Sequence, residues 1–187
     1  MTAFARWLGL TLFFAAPLLA AAEDDPFAGI PNVKFRYYEV EGRTPAEIYA
    51  SLRARSPQRD DGVANTAWHM RVGWQEARRG SGCTVNDPMA SLSITVLLPR
   101  LVTSPLSPDA ADYWRRTLRG LEIHEAGHAR IALAHRNDFA EAGEGASCRD
   151  IRAIAARVQA KVEKIQADYD RDTDHGISQI PSPGEMR

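Results

Sequence analysis

SPDAADYWRRTLRGLEIHEAGHARIALAHRNDFAEAGEG, residues 107–145, is the stretch whose reading decides the fold. Ser107 is a good N-cap and Pro108 suits the first helical position. Asp109 adds an acid where the helix dipole is positive. From Asp109 to about Ala142 there is no proline, and the two glycines, Gly120 and Gly127, interrupt no apolar spacing. One long helix is therefore expected, ended by Gly143-Glu144-Gly145.

Within that helix His124-Glu125-Ala126-Gly127-His128 forms an HExxH pattern. Two imidazoles four residues apart share one face and sit about 6 Å apart along the axis. Both can therefore reach one ion at metal–nitrogen distances near ~2.1 Å. Glu125 is rotated about 100° from His124, so it flanks such an ion instead of ligating it. From that place a carboxylate can act as general base on a water that zinc has acidified. Leu121, Ile123, Ala126 and Ala129 make the segment at least partly buried, where imidazoles without partners would be costly. A catalytic Zn²⁺ takes three protein ligands and keeps one position open, so a third ligand is needed.

His135 lies on the same face as His128, but seven helical residues carry it ~10 Å along the axis. The extended metzincin pattern also fails, because Ala134 and Ile131 stand where a histidine and a glycine are required. Glu141 and Glu144 qualify if the helix folds back early, and Glu163 is a further acid of that kind. A second helix is expected from about Ser147 to Tyr169, with Ile151, Ile154, Val158, Val162 and Ile165 at three- and four-residue spacing. Its antiparallel return carries the following segment back past the first helix. His175, next to the permissive Gly176, then comes within reach of the metal. The residue pattern leaves these candidates open.

The first half has a different period. Val33–Val40 has the β-branched and aromatic content of a strand. Thr44, Pro45 and Glu47 form a capping-box start for a short helix that ends before Pro57. In Thr66–Trp74 the residues Trp68, Met70, Val72 and Trp74 alternate with polar neighbours, which places His69 on the wetter face. Gln75–Gly82 reads as a hairpin-like connection, and Ser91–Leu98 as a strand closed by Pro99. The fold class expected is α+β: a small antiparallel sheet with a short helix, then two long helices, the first bearing HExxH, and an irregular tail. The Trp68/Trp74 stripe is read as sheet core, and Arg78-Arg79 and the acids of 170–174 as solvated charges.

Residues 1–22 read as a signal peptide: Arg6, an apolar run from Trp7 to Leu19, and a small-residue Ala20-Ala21-Ala22 site. That core is too short to span a bilayer. Residues 23–187 then form one domain outside the cytoplasm, periplasmic or secreted. There the even pair Cys83 and Cys148 is expected to form a disulfide. With 23 basic and 24 acidic residues, the near-neutral charge gives no reason to expect a nucleic-acid partner or an anionic membrane surface.

Several of these segments together resemble the predicted secreted zinc-dependent proteases, a domain-of-unknown-function family grouped with the zincin peptidases. They are Tyr37-Tyr38-Glu39-Val40, Thr66-Ala67-Trp68 with Trp74, Cys83, the strand ending Leu98-Pro99, the HExxH core, and Tyr169-Asp170-Arg171-x-Thr173-x-His175-Gly176. The resemblance implies metal-dependent peptide hydrolysis on a peptide or protein substrate of the cell envelope. It favours His175 as third ligand beside His124 and His128. It also implies a substrate paired along the strand beside the metal helix, for which Ser91–Leu98 is the candidate. Apart from the resemblance, Tyr169 or Tyr113 could donate to an oxyanion, but each reads first as a core or surface tyrosine. The rival expectation is a non-catalytic envelope binding or assembly protein that retains the zincin fold, its metal closed by a fourth protein ligand such as Glu144 or Asp174.

Overall fold

The computed structural model describes residues 25–58 and 62–180, so the leader expected at 1–22 and the end of the tail lie outside the described residues. The elements run β1 Val33–Val40, α1 Pro45–Arg55, β2 Asn65–Arg79, β3 Gly82–Leu101, α2 Pro108–Ala134, α3 Asp138–Gly143 and α4 Ile151–Asp172, followed by one 3₁₀ turn at Ile177–Gln179. The fold is α+β. Among the described residues no helix is long and apolar enough to cross a membrane.

The sheet is mixed, which corrects the antiparallel expectation. Strand β3 is central, β2 runs antiparallel on one side, and β1 lies parallel on the other, Val33 facing Ile94 and Val40 facing Leu101. The reason is topological. The local β2–β3 hairpin covers one side of β3, β1 takes the other, and the direction of its entry makes that pairing parallel. The expected connection at 75–82 is also mostly strand: β2 and β3 stay paired to Arg79–Gly82, past an irregularity between Gly73 and Gln75. Backbone pairing extends that hairpin arm where side-chain alternation fades.

Alternation along β3 turns Ile94, Val96 and Leu98 inward, where they meet Leu121, Ala126 and Ala129 of α2 together with Phe27. Small alanines let α2 lie close on the sheet. A second cluster, Val40, Ile48, Leu52 and Ala110, ties α1 and the start of α2 to β1. Thr44 caps α1 by accepting from the Glu47 N–H, and Glu47 accepts from the Arg43 N–H. A third cluster joins Val85 to Phe139, Ile151 and Ile154.

The single long helix expected to Ala142 instead stops at Ala134, and a short helix follows. No glycine or proline marks the break. His135 pairs with Asp138 across 2.9 Å, and the turn swings the buried Phe139 against Trp74, ring centroids 6.2 Å apart. The side-chain pair His135–Asp138 and the burial of Phe139 accompany the end of the helix. Helix α4 begins at Ile151, four residues later than expected, because 145–148 is used to pair with the hairpin arm. Val85 donates to the Ala146 carbonyl at 2.8 Å and Gly145 donates back to Val85 at 3.1 Å.

The expected disulfide is present between Cys83 and Cys148, spanning 65 residues and fastening the arm to the α3–α4 loop. Loop closure of that length stabilises by about 4 kcal/mol in the chain-entropy model. A Cys83→Ser/Cys148→Ser protein is expected to lose about that much in urea unfolding. An unchanged unfolding midpoint would show that the arm is held without the bond.

Candidate metal centre

Helix α2 carries His124, Glu125 and His128 on its buried face, at 5%, 3% and 8% exposure. Helix α4 returns along it. Its inner stripe passes from Ile151, Ile154 and Val162 to Gln166, and one turn further reaches Asp170. The two helices thereby bring three ligand-type atoms together. His124 Nε2 and His128 Nε2 are 3.1 Å apart, and Asp170 Oδ1 lies 3.2 Å from the first and 2.9 Å from the second.

Neighbouring amides decide where the imidazole protons sit. Gln166 donates its Nε2–H to the His128 backbone carbonyl at 3.1 Å, which turns its Oε1 to His128 Nδ1 at 2.5 Å. Gln179 donates its Nε2–H to the Tyr169 hydroxyl at 2.9 Å, which turns its Oε1 to His124 Nδ1 at 3.0 Å. Each Nδ1 therefore carries the proton and donates it, leaving both Nε2 lone pairs facing the Asp170 carboxylate. Three acceptors converge with no hydrogen among them, an arrangement that needs a cation. Burial, and then the neighbouring His128, hold the His124 pKa below its ordinary value, so an added proton is disfavoured. Donors around a tetrahedral zinc at ~2.1 Å are roughly 3.4 Å apart, so these three need to spread only by a few tenths of an ångström. The residues fit a metal ion.

The rings are clamped from behind. Tyr169 stacks on His124 at 5.2 Å and 12° and meets His128 edge-on at 5.0 Å. Gly127, the fourth residue of the HExxH run, makes room for it, since a Cβ there would fall 2.0 Å from the Tyr169 hydroxyl. Gly176, at φ +87°, passes beneath His124, where a Cβ would come 2.9 Å from Cγ.

Glu125 faces a cleft of about 440 Å³ whose far wall includes Val63, Asn65, Thr66 and Trp68. The Thr66 hydroxyl lies 2.7 Å from Glu125 Oε2 and 3.0 Å from the Glu125 backbone oxygen. Burial pushes the Glu125 pKa up to about 7, with the Thr66 hydrogen bond opposing it.

His175 lines the same cleft, but its side chain is 78% exposed and its Nδ1 stands 3.9 Å from Asp170 Oδ1, outside the converging group. Glu141 borders a groove between α3 and α4, Glu163 bonds Gln159 on the outer face of α4, and Glu144 is exposed at the end of α3. Tyr113 packs in the second core cluster and His69 is exposed on β2, as its alternation predicts. Trp68 both packs on the core and lines the cleft. Ser91–Leu98 belongs to the central strand: Ile94–Leu97 is paired on both sides, and Ser91–Ser93 pairs with β2 alone. The unpaired edge beside the cleft is that of β2, at Asn65–Trp68. Asp170, expected as a solvated charge, instead meets both histidines, and Thr66 stands in the segment Thr66-Ala67-Trp68 without an expected role. Gln166 and Gln179 carry no motif, although Gln166 and Asp170 continue the inner stripe of α4 at helical spacing.

The chain belongs to a family of bacterial proteins of unknown function, DUF922, whose model matches residues 35–176. No curated protein and no solved structure matches it. The matched span includes both histidines, Glu125, Asp170 and His175.

The raised Glu125 pKa has a consequence for stability. Between 4.5, its ordinary value, and about 7, the folded protein holds a proton that the unfolded chain has released. Stability from this group is therefore present at low pH and lost as pH rises through that window. In protein stripped with a chelator, Glu125→Gln should be more stable than wild type at pH 8, the gap closing as pH falls toward 4.5. A gap independent of pH in paired thermal melts would contradict this.

Proposed function

We propose that this member of the DUF922 family is a zinc-dependent peptidase acting outside the cytoplasm on peptide or protein substrates of the cell envelope, with His124, His128 and Asp170 as the three protein ligands. One observation carries the reading: two imidazole nitrogens and a carboxylate oxygen converge beside a cleft with a buried glutamate on its wall. Zinc is chosen because two imidazoles and one carboxylate suit its ligand preferences. When bound, it supplies an acidified water and polarisation of a peptide carbonyl. Asp170 takes the place that the sequence reading gave to His175. His175 is positioned at the cleft to meet substrate.

The chain's own residues divide the remaining work. Glu125 is the general base, and burial raises its pKa toward neutrality, the range in which a carboxylate serves best as base and acid near pH 7. Thr66 has one hydroxyl proton and two acceptors within reach. It donates to the Glu125 carboxylate while that is ionised. Once Glu125 is protonated and becomes a donor, the hydroxyl can turn to the backbone carbonyl. One side chain thus supports both states of the base. The open edge of β2 at Asn65–Trp68 suits an extended peptide, which would add a strand there. The disulfide and the absence of a membrane-spanning helix among the described residues are compatible with this location.

The rival, a non-catalytic envelope binding protein, needs the metal closed by a fourth protein group. Glu144 and Asp174, the groups that reading offers, are both exposed, and neither belongs to the converging group.

Wild type and Glu125→Gln loaded with zinc should both retain the metal. Incubated with a mixed peptide digest and read by mass spectrometry, wild type should create new termini and the variant about 10²–10⁴-fold fewer. Equal cleavage by both, or none by a zinc-loaded wild type across the digest, would refute the peptidase reading.

A further inference from the structure

Past Asp170 the chain does not leave the site. Thr173–Ile180 doubles back across the rear of α2 as a strap, closed on itself by the Ser178 hydroxyl donating to the Thr173 carbonyl at 2.8 Å and by backbone bonds from Gly176 and Ser178 to the same oxygen. Two residues seat it. Gly176 passes under the His124 ring, and Ile180 rests on Gly120, where a Cβ would fall 2.7 Å from Ile180 Cγ1 and 2.9 Å from its Cα. Between them Gln179 reaches His124 Nδ1 through Oε1 and the Tyr169 hydroxyl through Nε2. Thr173 Oγ1, its own proton committed to the Tyr169 carbonyl at 2.7 Å, offers Nδ1 a second acceptor at 3.3 Å.

We propose that Gln179 is a positioning residue of the metal site, so that the site is complete only when the strap 173–180 is closed. This rests on the metal reading above. The two histidines are held unequally. His128 is oriented by Gln166, which sits inside the long helix α4 and is itself buried. His124 depends on a side chain carried by a single 3₁₀ turn beyond the last helix. That amide fixes the Nδ1–H tautomer and keeps Nε2 aimed at the shared point. Partners of this kind are worth about 10–100-fold in metal affinity. Because coupling is reciprocal, a bound ion must stabilise the closed strap by the same factor.

The probe is Zn²⁺ alone, measured by competition with a chromophoric chelator, with Co²⁺ absorption as a report on ligand geometry. Gln179→Met should weaken binding about 10–100-fold and alter the Co²⁺ bands. Gln179→Glu keeps an acceptor for Nδ1–H and should restore both to near wild type. Gly120→Ala leaves every polar group in place; by displacing Ile180 it should weaken binding in the same direction. In wild type, Zn²⁺ should slow amide exchange across 176–180, and Gln179→Met should lose that slowing. Gln179→Met binding within about twofold of wild type, while His124→Ala loses the ion, overturns this proposal alone. Equal losses in Gln179→Met and Gln179→Glu also overturn it, since they reduce Gln179 to packing. Failure of wild type itself to bind Zn²⁺ overturns the metal reading and this proposal with it.

Discussion

The convergence of His124 Nε2, His128 Nε2 and Asp170 Oδ1 is the constraint on which the rest of the structure turns. Three acceptors held within hydrogen-bonding distance, with no hydrogen between them, repel one another unless a cation intervenes. The fold nevertheless invests its best-ordered parts in holding them there. Helix α2 is pressed onto β3 by alanines, α4 returns antiparallel along it, and Gln166 locks the two helices at the height of His128. Two buried imidazoles and a buried amide, His124, His128 and Gln166, are gathered around that point with the half-buried Asp170 and Gln179.

The same constraint explains residues that do no chemistry. Gly127 and Gly176 are there because a Tyr169 ring and a His124 ring occupy the space that side chains would need. The mixed sheet has a comparable role. With β1 parallel on one side of β3 and β2 on the other, the unpaired edge of β2 is left along the cleft, and Thr66 on that strand touches Glu125. The disulfide and the paired segment 145–148 hold the far end of the hairpin to the start of α4, which fixes the register of α4 along α2.

Much of this is legible in the sequence, and the part that is not has identifiable causes. The two-histidine face, the flanking glutamate, the disulfide, β1, the capped α1 and the α+β order all follow from local signals. The parallel partner of β1 does not, because no local signal states which side of a distant hairpin is vacant. The break after Ala134 is hidden because it goes with the His135–Asp138 pair and the burial of Phe139, with neither glycine nor proline to mark it. Asp170 is masked by its company: in the run Asp168 to Asp174 it is one acid among four, and only its place on the inner stripe of α4, one turn after Gln166, separates it from the exposed ones. Gln166 and Gln179 carry no motif at all. Their importance appears only once both histidine rings are seen to need a proton acceptor.

The most direct test of the central claim is the zinc content of the purified protein, measured by elemental mass spectrometry for wild type, Asp170→Ala and His175→Ala side by side. The account predicts one zinc per chain in wild type and in His175→Ala, and none in Asp170→Ala. Zinc retained in Asp170→Ala and lost in His175→Ala would contradict it, and would return the third place at the metal to the histidine.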